Sequence, residues 1–188
     1  ELVKTMRASI LVLGSMIAKY GYAKIALPGG CAIGSRPVNY HLKALEKLGV
    51  NILLKNGYIE ARTDKLVGAN IEFEGVTVTG TENLIMAASL AKGVSVLTNV
   101  AKEPEISDLA NFLNSMGAKI SGAGTDKIIV EGVEELSGTT YEIPADRIEA
   151  GTYLIAGAVT NGNITINKID PKRMGAIVEN LKKAGAEV

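Results

Sequence analysis

One short stretch concentrates the residue types that carry covalent and anion chemistry. Residues 28–42 read Pro-Gly-Gly-Cys-Ala-Ile-Gly-Ser-Arg-Pro-Val-Asn-Tyr-His-Leu and hold the only cysteine and the only histidine of the 188-residue chain. The thiolate is the reactive form of cysteine, and a nearby cation favours it. Arg36 stands five residues after Cys31. Its guanidinium is also a planar fork of donors suited to phosphate or carboxylate. Glycines 29, 30 and 34 let the backbone approach a ligand closely, and Pro28 and Pro37 stiffen the two ends. The stretch thus supplies a nucleophile or acid together with an anion clamp. A free cysteine is most often a small buried apolar residue. Such cysteines sit inside apolar helix or strand runs, unlike Cys31.

Other chemistry-bearing residues carry plainer readings. Arg7, on a helix rim, is by itself a solvated surface arginine. His41, early in the helix after the loop, is a base, a nucleotide contact or a capping, half-buried histidine. Lys102-Glu103-Pro104-Glu105 places acidic residues at a helix start, where they favour the dipole. Asp146, Arg147 and Glu149 form a charge cluster readable as a local ion-pair network. One cysteine and one histidine make no zinc site, so no metal is expected. Neither a dinucleotide fingerprint nor a Walker loop occurs, and Gly122-Ala123-Gly124 is a turn feature.

Bulk properties narrow the class. The chain is 47% hydrophobic, 21% charged and 4% aromatic, a globular composition. Twenty Lys and Arg balance twenty Asp and Glu, which leaves no basic field for nucleic acid. One cysteine permits no internal disulfide, as in a reducing compartment. With no leader pattern and no run of 18 apolar residues, the expectation is a cytoplasmic protein without membrane attachment. The chain opens without Met inside a helix pattern and closes at Val188 where a strand should start, so a fragment of a longer protein is expected.

The elements that must position the loop recur. Leu45, Leu113 and Leu181 each open a helix end, a glycine and a strand, at an interval of 68 residues. Apolar helices are predicted at 8–20, 83–91 and 151–159. Each is followed by a β-prone stretch, at 23–27, 94–99 and 163–169, that ends near Pro28, Pro104 or Pro171. Second helices follow at 38–48, 105–116 and 172–184, with further strands at 58–62 and 127–131 and a hairpin tip at Thr125-Asp126. Leu45 follows its proline by 17 residues, whereas Leu113 and Leu181 follow theirs by 9 and 10. The surplus is the cysteine loop, and an insertion on a repeated scaffold tends to be functional. Helices apolar nearly all round belong inside a domain, and alternating strands belong to half-solvated sheets. The fold class is α/β, with buried helices walled by outer sheets.

Pro-Gly-Gly-Cys-Ala-Ile-Gly-Ser-Arg-Pro resembles the active-site loop of bacterial enolpyruvyl transferases acting on UDP-N-acetylglucosamine. Thr5-Met6-Arg7-Ala8-Ser9, Glu103-Pro104-Glu105-Ile106 and Asp146-Arg147-Ile148-Glu149-Ala150-Gly151-Thr152 resemble further motifs of that family in the same order, so the resemblance spans the chain. It implies an inside-out α/β barrel of enolpyruvyl-transferase type: two similar domains of three repeats, with a cleft that binds the nucleotide sugar and phosphoenolpyruvate. It implies transfer of the enolpyruvyl group to the sugar 3′-hydroxyl with release of phosphate, opening peptidoglycan precursor synthesis, with no cofactor. Cys31 matches the cysteine that protonates the enol methylene or aids product release, and that fosfomycin alkylates. Arg7 and Arg36 match ligand-clamping arginines. Arg36, Pro37, Val38, Asn39 and Tyr40 match one stretch lining the nucleotide-sugar site, and Gly75, Val76, Thr77 and Val78 match a second. His41 and Arg147 are further candidates.

Two departures stand out. Asn39 replaces the family's usual Asp, which keeps an acceptor and removes a charge. Gly75 stands where many members carry lysine, so a contact there must be main-chain. The family's Lys-Asn pair near its N-terminus and its late Asp and Arg groups have no counterpart here. The expected division is therefore residues 1–144 as the cysteine-loop domain and 145–188 as the start of the second, with the remainder of the chain as the missing partner. The fragment alone is expected to lack half the site. The alternative is a non-catalytic repeat domain that binds a nucleotide sugar.

Overall fold

The computed structural model describes residues 6–28 and 38–188, apart from the side chain of Arg7. Cys31, Arg36 and Pro37 lie outside the described residues. A 3-10 turn, Arg7–Leu11, runs into helix α1, Val12–Tyr20. There follow β1 (Tyr22–Ala26), α2 (Asn39–Lys47), β2 (Asn51–Lys55), β3 (Tyr58–Arg62), β4 (Asn70–Glu72), α3 (Val78–Ala88), β5 (Val94–Thr98), α4 (Pro104–Ser115), β6 (Lys119–Ser121) and β7 (Lys127–Glu131). Helix α5 (Arg147–Val159), a second 3-10 turn (Pro171–Met174) and α6 (Gly175–Lys183) complete the order. The chain divides into two compact units, residues 1–141 and 142–188.

The 68-residue repeat is visible in the backbone. Gly49, Gly117 and Gly185 follow the helix ends with φ of 91°, 102° and 93°. Only glycine adopts this conformation without strain. The N–H groups of Val50, Ala118 and Ala186 each reach back to the repeat leucine carbonyl, at 3.2, 3.0 and 3.0 Å. These are helix-closing bonds that satisfy carbonyls otherwise left without partners.

The two sheets of the first unit share one register. One has the order β1-β3-β2 and the other β4-β5-β7-β6. Tyr22, Lys24 and Ala26 pair with Arg62, Glu60 and Tyr58, as Val94, Val96 and Thr98 pair with Glu131, Ile129 and Lys127. Strand β4 adds a parallel partner to β5. Strand β7 buries Ile128 and Val130 and exposes Lys127, Ile129 and Glu131, so one face meets the helices and the other meets water. Helix α3 buries Gly80, Thr81, Asn83, Leu84, Ile85, Ala87 and Ala88, which cover most of its circumference. Helices α1, α2 and α4 pack around it. Helices inside and sheets outside is the arrangement that the apolar helices and alternating strands predict.

Several boundaries differ from expectation. Helix α3 begins at Val78 rather than near Asn83. Thr77 caps it, its side chain accepting from Gly80 N at 3.2 Å, and that capping bond outweighs the β-branched and glycine residues of the first turn. Helix α5 begins at Arg147, because the Asp146 carboxylate accepts from the N–H groups of Ile148 and Glu149 at 2.8 and 3.2 Å. No strand forms over 163–169, where the β-prone residues predict one. A strand exists only where a second one takes up its backbone groups, and no described residue pairs with 163–169. Ile148, Tyr153, Ile155 and Val159 on α5 are exposed, so this helix is not enclosed as α3 is. No helix among the described residues is long and apolar enough to cross a membrane.

Candidate functional site

The first turn of α2 and the segment entering α3 meet in the first unit. Val38 precedes α2, and its carbonyl accepts from the N–H groups of His41 and Leu42 at 3.0 and 3.2 Å. Asn39 and Tyr40 open the helix and are half-buried. Tyr40 lies over Gly75: a Cβ at Gly75 would meet the ring Cε2 and Oη at 3.1 Å. The Tyr40 ring therefore occupies space that any side chain at position 75 would claim. Val76 is exposed, and Thr77 turns the chain into α3 with its hydroxyl on Gly80 N and its carbonyl accepting from Thr81 Oγ1 at 2.8 Å. The two stretches Val38–Tyr40 and Gly75–Val78, read separately from the sequence, are thus brought together at Tyr40 and Gly75.

Beneath them lies a buried polar cluster that sequence reasoning did not single out. Asn83 and His41 are 0% and 1% exposed. Asn83 Oδ1 accepts from Gly14 N at 2.7 Å, and its Nδ2 donates to Ile10 O at 2.8 Å. The same Nδ2 lies 2.9 Å from His41 Nδ1, and His41 Nε2 lies 3.3 Å from Thr79 Oγ1. The signal available in the sequence was one amide among the apolar residues of α3, opposite a glycine on α1. A Cβ at Gly14 would stand 2.2 Å from the Asn83 carbonyl oxygen, so only glycine allows this approach.

Asn39 Oδ1 is buried and has no hydrogen-bond partner among the described residues. A buried acceptor left open is costly unless a ligand or water supplies a donor. Along the outer flank of α2 runs a groove of about 380 Å³ that touches the site only at Tyr40. Lys43 and Glu74 line it and pair at 2.6 Å, both exposed. Glu82, beside Asn83, is half-buried. Burial, and then the charges of Glu105 and Glu103, push its carboxyl above the usual range. Arg7 sits on the 3-10 turn before α1. Arg147 belongs to the second unit, as the first residue of α5 behind the Asp146 cap.

A buried-helix α/β repeat carrying these stretches defines a class. The model of the EPSP synthase (3-phosphoshikimate 1-carboxyvinyltransferase) family matches residues 1–188, and the chain belongs to that family. Within it, the chain is similar to proteins named UDP-N-acetylglucosamine 1-carboxyvinyltransferase. It is 57% identical over 188 residues to the one from Hydrogenovibrio crunogenus and 61% identical to the one from Ruthia magnifica, matching 100% of this chain and 45% of each relative. The chain thus spans less than half the length of the curated relatives it matches. Among solved structures, the enolpyruvyl transferase NikO from Streptomyces tendae superposes with a TM-score of 0.74 at 18% identity, over 97% of this chain and 45% of that one. EPSP synthase from Acinetobacter baumannii gives 0.69 at 21%, over 96% and 41%. The fold is the inside-out α/β barrel of enolpyruvyl-transferase type, as the sequence predicts.

Proposed function

We propose that the chain is part of an enzyme that moves the enolpyruvyl group of phosphoenolpyruvate to the 3′-hydroxyl of UDP-N-acetylglucosamine and releases phosphate. The observation that carries this reading is the 57–61% identity, along the whole chain, to relatives bearing that name. In this reading residues 1–144 are the cysteine-loop domain and 145–188 begin the second.

The chemistry assigns roles to residue types. The sugar 3′-hydroxyl gives up its proton to a base as its oxygen bonds to C2 of phosphoenolpyruvate, while an acid adds a proton to the C3 methylene. The adduct then loses a C3 proton and expels phosphate, which restores the double bond. Cys31 is the acid for the methylene, and Arg36 and Arg7 hold anionic oxygens, as bidentate guanidinium groups do. Val38–Tyr40 and Gly75–Val78 line the nucleotide-sugar site. The open acceptor of Asn39 suits an N–H of the base, and the glycine at 75 restricts that position to main-chain contact.

Holding two anionic substrates for this step needs cations on more than one side. The test is phosphate release. The protein at the length of its relatives is expected to release phosphate only when both substrates are present, and the 188-residue chain to release none. Release by a preparation that mass spectrometry shows to contain these 188 residues alone would place the whole site within this chain and refute the reading.

A further inference from the structure

Asn83 touches three elements at once, and each of the three leads into a stretch assigned above. Gly14 and Ile10 belong to α1 and its 3-10 turn, which carries Arg7; His41 belongs to the first turn of α2; and Asn83 itself is on α3, six residues after Thr77. The hydrogen bonds fix the chemistry of the cluster. Gly14 N–H can only donate, so the oxygen of the Asn83 amide must face it. Ile10 C=O can only accept, so the nitrogen must face Ile10. The two constraints agree. His41 Nδ1, 2.9 Å from that same nitrogen, is therefore an acceptor and carries no proton. The ring proton then resides on Nε2, which donates to Thr79 Oγ1 at 3.3 Å. His41 thereby spans from Asn83 to the first turn of α3 and ties the start of α2 to it.

We propose that Asn83 is a positioning residue: it holds His41 as the neutral Nε2–H form and so sets Val38–Tyr40 in register against Gly75–Val78. The inference rests on the reading of those stretches as the nucleotide-sugar site. A shift of either one displaces substrate equally in the ground and transition states, so the loss appears in KM more than in kcat. Asn83 and His41 are fully buried, and an unmatched group between them is costly. Its members therefore act as one unit.

The experiment compares His41→Asn with His41→Phe in the protein at the length of its relatives. The asparagine keeps an acceptor where Nδ1 stood, and the phenylalanine does not. His41→Phe and Asn83→Leu are expected to raise KM for UDP-N-acetylglucosamine by about tenfold, with kcat changed by less than about threefold. His41→Asn is expected to restore most of the loss. Imidazole 15N resonances of the unsubstituted protein, with His41 assigned by its disappearance in His41→Asn, should show Nδ1 bare and Nε2 protonated. A protonated Nδ1 overturns the inference. So does an unchanged KM in folded His41→Phe, or equal KM for the two His41 variants. If Asn83→Leu does not fold, the two His41 variants decide. If the unsubstituted protein takes no UDP-N-acetylglucosamine, the proposed function fails. The ring resonances then still report whether Asn83 sets the His41 tautomer.

Discussion

Replacing Gly14 with alanine tests whether the approach of α1 to α3 is as close as the structure gives it. The added Cβ would stand 2.2 Å from the Asn83 carbonyl oxygen and 2.8 Å from its Oδ1, where ordinary contact begins near 3.4 Å. The two helices must part by roughly 1 Å, and overpacking of this kind costs about 1–3 kcal/mol. Parting them also breaks the buried 2.7 Å bond from Gly14 N to Asn83 Oδ1. Leaving that N–H unsatisfied adds about 1–3 kcal/mol. Alanine recovers about 1 kcal/mol of helix propensity over glycine. The balance is a destabilisation of about 3 kcal/mol, or a fall of about 1.5 M in the urea midpoint at a slope of about 2 kcal/mol/M. The assay is urea unfolding followed by far-ultraviolet circular dichroism, since the chain has no tryptophan. Gly175→Ala is the control: it heads α6, and a Cβ there meets nothing within 4 Å. It should leave stability unchanged or raise it by less than about 1 kcal/mol. A Gly14→Ala protein as stable as the parent would refute both the close approach and the role given to Asn83.

Two further outcomes follow from the same region. The Glu82 carboxyl is raised above its ordinary value by burial and by Glu105 and Glu103. Its protonated form is thus favoured in the fold, and its contribution is present at acid pH and lost as pH rises through the raised value. Glu82→Gln should therefore gain stability over the parent at neutral pH and lose that advantage at acid pH. Equal urea midpoints for the two proteins at neutral pH would contradict the assignment. Gly75→Ala places a Cβ 3.1 Å from the Tyr40 ring, which must yield by a few tenths of an ångström. UDP-N-acetylglucosamine should then bind about two- to fivefold more weakly in calorimetric titration, with the melting temperature unchanged, and unaltered binding would separate Tyr40 from the site.

Period and composition carried the architecture because they report burial directly. The all-round apolar character of α3 and the alternation of β7 each have one physical meaning, and the 68-residue interval fixed where the helix-closing glycines fall. The strand predicted at 163–169 is absent for a complementary reason: β-propensity says that a segment suits a sheet, not that a partner strand is present. The start of α3 is not legible in the sequence because a single hydroxyl on Thr77 outweighs the poor propensity of four residues. The His41 ring is legible as a candidate, and its partner is not. Asn83 gains its meaning from Gly14, 69 residues away, and no local pattern joins an amide on one helix to a glycine on another.

The identity of the acceptor separates two enzymes of this family, which includes one named for 3-phosphoshikimate. The measurement is a mass spectrum of the product formed when the protein at the length of its relatives is supplied with phosphoenolpyruvate and equal concentrations of UDP-N-acetylglucosamine and shikimate 3-phosphate. The enolpyruvyl mass is expected on the nucleotide sugar alone, with one phosphate released per product. Its appearance on shikimate 3-phosphate, or on neither acceptor, would overturn the proposed function.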